Sequence, residues 1–376
     1  MTNVSVPFFD WAGLFNERKE EFSRVMMDTA SRGGFILQKD VDDFERNLAE
    51  FIGVKHVIGV ADGTNAILLG LRASGVKAGD EIIVPSHGFI AAIQSIHYAG
   101  ATAVPVELAD HDWLIDPAAI EAAITPRTTA IMPVHVNGRA CQMDVIMDIA
   151  KRHNLAVYED SAQAAGAKLD GVGAGCWGQW GTYSFYPSKT LGCFGDAGAL
   201  VTNDDGIAAA VRAMRNHGAN EQKSIPLDVS TWGTNCRLDN IHAALLNYKL
   251  TYYGEAIARR REIAAQYHAA FSDIAELRLP PAPDADPRYF DIYQNYEMCL
   301  DRRDALRAYL SERQIGTIVQ WGGFGIHQLK GLGFTQDCPK TDRFFETSLL
   351  LPMNHILTND QVDHVIASVR AFCQTN

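Results

Sequence analysis

Short apolar runs punctuate this chain of 376 residues from about residue 57 to residue 203, with amphipathic stretches between them. The runs at 57–60, 81–85, 103–106, 130–134, 155–160, 181–186 and 198–202 show little alternation of apolar and polar positions, the pattern of strands buried on both faces. The stretches at 91–98 and 143–153 repeat apolar residues at helical spacing, and residues 65–71 read as the start of another helix. Strands alternating with helices predict an α/β fold built on a mostly parallel sheet with helices on both faces. A long helical pattern rich in Ala, Leu, Tyr and Arg follows at 238–272, and the proline-rich segment 280–287 then breaks the chain before a smaller α+β region. The expected division is an N-terminal arm and large domain over 1–250 and a small C-terminal domain over 251–376.

The ends of these runs carry the chemistry. Asp160 closes an apolar strand, and Lys189 follows the next one in the run Ser184-Phe185-Tyr186-Pro187-Ser188-Lys189-Thr190. Ligands of open α/β sheets gather at such carboxyl ends. A lysine able to form a Schiff base and a carboxylate able to keep a pyridine nitrogen protonated are what a pyridoxal 5'-phosphate (PLP) site requires. Upstream, the run at 57–60 leads through Ala61-Asp62-Gly63-Thr64 into a helix, whose free N–H groups suit a phosphate. Asp62 or Thr64 as a plain helix cap is the competing reading there. Glycines 192, 195 and 198 are expected to clear side chains from the face where a flat cofactor lies.

Composition narrows the classes. At 47% hydrophobic and 21% charged, the chain is an ordinary globular sequence, and it has no apolar run long enough to cross a bilayer. Its N-terminus lacks the basic and apolar blocks of a secretory signal, so a cytoplasmic protein without membrane partners is expected. A net charge of −12 argues against nucleic acid, which demands concentrated Lys and Arg. The seven cysteines show no metal-ligand spacing, so no metal is expected and reduced thiols are the default.

The motifs together resemble the sugar aminotransferases of the DegT/DnrJ/EryC/StrS group, of PLP fold type I, over nearly the whole chain. They run in order from Gly34-Phe35-Ile36-Leu37 and Asp62-Gly63-Thr64-Asn65-Ala66 through Val84-Pro85-Ser86-His87-Gly88-Phe89 and Pro133-Val134-His135-Val136-Asn137-Gly138. Glu159-Asp160-Ser161-Ala162-Gln163, the Lys189 run, Gly195-Asp196-Ala197-Gly198 and Asn235-Cys236-Arg237-Leu238-Asp239 complete them.

The resemblance implies roles. Phe89 would cover the cofactor ring, Gln163 would lie near it, and Ser184 would join Gly63 and Thr64 at the phosphate. Asn235 would reach across a homodimer interface to the partner's phosphate, giving shared active sites. His87, His135, Arg237 and His327 are candidates for substrate contact, and satisfied structural histidines are the other reading of His87 and His135. The implied reaction takes an amino group from L-glutamate through pyridoxamine 5'-phosphate to a keto sugar, with a nucleotide-linked acceptor (dTDP, UDP or GDP) expected and a lean to a 3-keto sugar. A cyclitol aminotransferase would use the same chemistry. A PLP-dependent sugar dehydratase would carry histidine in place of Lys189. A non-catalytic PLP-binding regulator would need a DNA-binding module that the short acidic segment before Gly34 does not supply. The loop Trp321-Gly322-Gly323-Phe324-Gly325-Ile326-His327 departs from the Pro-x-Pro-x-His pattern of many relatives, and a remodelled acceptor pocket is expected there.

Overall fold

The computed structural model describes residues 4–219 and 228–374. Seven strands form the central sheet: β1 (His56–Val60), β2 (Glu81–Pro85), β3 (Thr102–Val106), β4 (Thr128–Ile131), β5 (Ala156–Asp160), β6 (Trp180–Ser184) and β7 (Gly198–Thr202). Their spatial order is β1-β7-β6-β5-β4-β2-β3. Only β7 runs against its neighbours, pairing antiparallel with both β1 and β6. The carboxyl ends of the other six strands therefore face one edge of the sheet.

Neighbouring residues on a strand point to opposite faces, and each face has its own core. Val57, Ile83, Ile131, Val157 and Tyr183 pack with Phe44, Leu48, Leu238 and Leu246 on one side. Ile58, Ile82, Val84, Ala130, Tyr158 and Trp180 pack with Leu69, Ile93 and Val211 on the other. Two-sided burial explains why the strand runs lack alternation. The strand expected over 130–134 ends at Ile131, just ahead of Pro133, which has no N–H for a ladder.

The helical pattern at 238–272 resolves into two helices, Asn240–Leu250 and Tyr253–Phe271. The second enters a separate C-terminal core of Ile263, Tyr267, Phe271, Tyr296, Met298, Leu306, Leu310, Leu349, Val365 and Val369. Its two-stranded antiparallel sheet pairs β8 (Tyr296–Cys299) with β9 (Ser348–Leu351). The N-terminal arm does not pack wholly with the large sheet. Val6 is buried in the C-terminal core and exchanges backbone hydrogen bonds with Gln314 and Gly316. Residues that follow it cross to the large sheet, where the helix Lys19–Ser31 places Phe22 against Phe194.

Candidate active site

The turn after β1 brings the first site group. Asp62 caps the helix Gly63–Ala73, its carboxylate accepting from the Asn65 N–H at 2.8 Å and from the Asn65 side chain at 2.7 Å. The first N–H groups of a helix have no partner within it, so those of Gly63 and Thr64 are left unclaimed among the described residues. The capping reading is right for Asp62 and leaves the anion-binding reading intact for its two neighbours. Ser184, at the end of β6, closes this corner, and a Cβ on Gly63 would lie 3.0 Å from the Ser184 Cβ.

The glycine expectation needs correcting at Gly198. A Cβ there would come 2.4 Å from the Asp62 carbonyl carbon and 2.7 Å from the Gly63 nitrogen. Glycine at 198 lets β7 approach the turn closely, and Gly195 and Gly192 likewise abut His242 and the Pro187 and Lys189 carbonyls. These residues clear space for backbone and side chains of the fold rather than for a cofactor face.

Asp160 ends β5 and is 3% exposed. One carboxylate oxygen accepts the Ala162 N–H at 3.1 Å. Burial pushes its pKa up, against the opposing pull of that N–H and of Lys189 and His135. Such a group favours a cation placed against it. Lys189 opens into the same cavity but is otherwise enclosed by protein, and this desolvation lowers its amine to about 8 while the Asp160 charge holds it up. Gln294 pins the lysine turn: its side-chain oxygen accepts from the Thr190 N–H at 2.7 Å and the Thr190 hydroxyl at 2.9 Å, and its amide donates to the Ser188 carbonyl at 2.8 Å.

These groups share one cavity of about 580 Å³, lined by Gly63, Thr64, Phe89, Asp160, Gln163, Ser184 and Lys189 among others. Phe89 is 51% exposed, with its ring on the cavity. Gln163 is held by the Asn137 N–H, which donates to its Oε1 at 2.7 Å. Free helix N–H groups beside a hydroxyl, a buried carboxylate wanting a cation and an enclosed amine of lowered pKa fit PLP as a set. Among the described residues no group of His, Cys, Asp and Glu is arranged to hold a metal ion.

The other sequence candidates stand elsewhere, and none lines the cavity. His87 is buried, its Nδ1–H donating to the Trp113 carbonyl at 2.8 Å, and desolvation lowers it to about 4. His135 is fully buried; Nδ1 accepts the Cys141 N–H at 2.9 Å and Nε2 meets Glu159 at 3.0 Å. His327 lies between Ser86 (2.5 Å) and Asp342 (2.9 Å). Arg237 donates to the Asn216 side chain at 2.9 Å. Asn235 is exposed and bridges to Asn216. The three histidines spend their ring nitrogens on protein groups and none of them lines the cavity.

Sequence reading missed Phe8, Phe9, Gln294, Asn295, Ile318, Gln320 and Leu350, which complete the wall from the arm and the C-terminal region. These come from segments remote from the strand ends, where no local pattern marks them. The atypical loop was flagged, and it supplies Trp321 in a left-handed conformation (φ 49°) that a bulky residue rarely adopts. Its ring meets His87 at 5.1 Å and Phe89 at 6.4 Å.

Comparison with known proteins identifies the family. The model of the DegT/DnrJ/EryC1/StrS aminotransferase family matches residues 16–370. The chain is 35% identical over 374 residues to a dTDP-3-amino-3,4,6-trideoxy-alpha-D-glucose transaminase of Streptomyces venezuelae, covering 98% of this chain and 96% of that protein. It is also 35% identical over 370 residues to a UDP-N-acetyl-3-dehydro-alpha-D-glucosamine 3-aminotransferase of Acidithiobacillus ferrooxidans, with 98% of each covered. Among solved structures, S. venezuelae DesV in complex with a ketimine intermediate superposes with a TM-score of 0.93 at 34% identity, over 99% of both chains.

Proposed function

The chain belongs to the DegT/DnrJ/EryC1/StrS aminotransferase family, and on that premise we propose that it transfers an amino group from L-glutamate to the ketone of a nucleotide-linked 3-keto sugar, with PLP as cofactor. The observation that carries the reading is the meeting of Lys189, Asp160 and the unclaimed N–H groups of Gly63 and Thr64 on one cavity. Both relatives described above are named for nucleotide sugars with nitrogen or a ketone at carbon 3, and this supports the position of the keto group.

Bound PLP supplies an electron sink for the carbanion formed next to the amino nitrogen. The residues of the chain do the rest. Gly63, Thr64 and Ser184 would hold the phosphate through two backbone donors and a hydroxyl. Asp160, short of solvent and of strong donors, would keep the pyridine nitrogen protonated. Lys189 is the residue that would anchor the cofactor and, when free, would hold or move a proton at the substrate carbon; an amine with a pKa of about 8 is matched to giving and taking a proton near neutrality. Gln294 holds the lysine turn on both sides so that this amine keeps its place. Phe89 would cover the ring, and Gln163, steadied by Asn137, would border it.

The same reading makes the protein a homodimer with shared sites. Asn235 is exposed and off the cavity of its own chain, the disposition required of a residue that serves a second subunit. The test is spectroscopic and then kinetic. Wild-type protein loaded with PLP should absorb in the visible, lose that band on addition of L-glutamate, and regain it when given dTDP- or UDP-linked 3-keto sugars. Lys189→Ala should show neither change. A protein that fails to take up PLP sinks the cofactor assignment, and one bleached by glutamate but restored by no keto sugar sinks the acceptor assignment alone.

A further inference from the structure

A chain of amide groups runs beneath the cavity wall, with an accepting oxygen at each end, Glu297 Oε2 at one and the Trp113 carbonyl at the other. At one end is Glu297 on β8, buried, whose Oε2 takes the Asn137 side-chain N–H at 2.7 Å. Asn137 therefore turns its Oδ1 the other way, where it accepts from Asn295 Nδ2 at 2.8 Å. The same Asn295 nitrogen donates its second hydrogen to Gln320 Oε1, also at 2.8 Å. Gln320 then presents its NH2 to His87 Nε2 at 3.5 Å. That nitrogen is bare, because His87 is neutral and its only ring hydrogen is on Nδ1, spent on the Trp113 carbonyl. From Glu297 to Trp113 every amide has one permitted orientation, and reversing any of them would set oxygen against oxygen or N–H against N–H.

The consequence falls on Asn295. Both hydrogens of its Nδ2 are used, and its Oδ1 takes no hydrogen bond from any described residue, although Asn295 lines the cavity. We propose that Asn295 Oδ1 is a specificity-determining acceptor that receives a hydroxyl of the keto sugar, and that Glu297, through Asn137, is the positioning residue that keeps this oxygen, rather than the amide nitrogen, turned to the substrate. The proposal rests on the keto-sugar reading above and names a contact within that site. The ligand feature recognised is a hydrogen-bond donor. The sugar hydroxyl and the ammonium of the amino donor both qualify, and the two half-reactions tell them apart.

Neither protonation state of Glu297 breaks the relay, since burial pushes its carboxyl up to about 7 and both the acid and the carboxylate accept at Oε2. Glutamine can accept there as well, whereas leucine cannot. The experiment measures the two half-reactions separately in wild type, Asn295→Ala, Glu297→Gln and Glu297→Leu, each as PLP-loaded enzyme: loss of the visible band with L-glutamate, and its return with a 3-keto sugar nucleotide. Loss of a hydrogen bond to a desolvated group should raise the sugar KM about tenfold or more in Asn295→Ala and Glu297→Leu. The sugar half-reaction should suffer at least several times more than the glutamate half-reaction, and Glu297→Gln should recover most of the loss. Asn295→Ala carries the test alone if Glu297→Leu does not fold. An unchanged sugar KM in Asn295→Ala overturns the proposal, as does a defect confined to the glutamate half-reaction or a Glu297→Gln variant as impaired as Glu297→Leu. A wild-type enzyme that reacts with glutamate and with no keto sugar overturns the acceptor assignment itself, and this inference with it.

Discussion

Residue environments set the chemistry of the site more than residue types do. Lys189 and Asp160 lie within reach of each other's charge, and each is desolvated, so burial drives both toward their neutral forms while their mutual attraction resists. The amine is nucleophilic only when neutral. The rate at which apoprotein captures PLP should therefore climb with pH up to about 8 and level off above it. Asp160→Asn removes the charge that supports the ammonium, so its midpoint should move to lower pH, and stopped-flow absorbance after mixing with PLP measures both curves. A midpoint that stays fixed in the variant would mean that Asp160 does not act on Lys189. The meeting of these two residues on one cavity was legible in sequence because lysine and aspartate at successive strand ends form a local, ordered pattern. His87, His135 and His327 were not separable in that way, since a histidine offered to substrate and one consumed by Trp113, Glu159 or Ser86 read identically until their partners are in place.

Among the elements, the closest approach in the site is between β7 and the Asp62–Gly63 turn. Gly198→Ala would drive a methyl to 2.4 Å from the Asp62 carbonyl carbon, and backbone on both sides leaves nothing flexible to yield. Overpacking of this kind costs about 1–3 kcal/mol. Because the displaced turn carries the N–H groups proposed to hold the phosphate, PLP affinity should fall together with thermal stability, which equilibrium dialysis and a melting curve would register. A variant of wild-type affinity and stability would show that the turn can move freely. The strands themselves were readable because burial on both faces leaves unbroken apolar runs. The reversed direction of β7 was not, since an apolar run carries no sign of which way it points. The helix Lys39–Ile52 spaces Val41, Phe44, Leu48 and Ile52 at helical intervals and was there to be found. The short strands Lys168–Leu169 and Val172–Gly173 form a hairpin around Asp170-Gly171, a local turn signal, whereas the pairing of Lys168–Leu169 with Tyr289–Phe290 far along the chain has no local sign.

At the scale of the whole molecule, the cavity gathers wall residues from the arm (Phe8, Phe9), the large sheet and the C-terminal region (Gln294, Asn295, Leu350), yet Asn235 stays outside it, exposed beside Asn216. If Asn235 serves a partner's phosphate, each site needs Lys189 from one chain and Asn235 from the other. Homodimers of Asn235→Ala should retain PLP poorly, because one donor to a charged group is lost, a loss worth roughly 1.5–3 kcal/mol. Homodimers of Lys189→Ala should be inactive. In a mixed dimer of the two variants one site combines both substitutions and the other combines neither, so the purified heterodimer should recover about half of the wild-type activity, as expected for one working site of two. Differently tagged chains, co-expressed and isolated by both tags, allow the measurement against each homodimer. Recovery requires that the two residues act on a site from opposite subunits. A heterodimer no more active than its parents would instead confine Asn235 to a structural role in its own chain, holding the segment that bridges Asn216, and the active site would then have to be complete within one protomer.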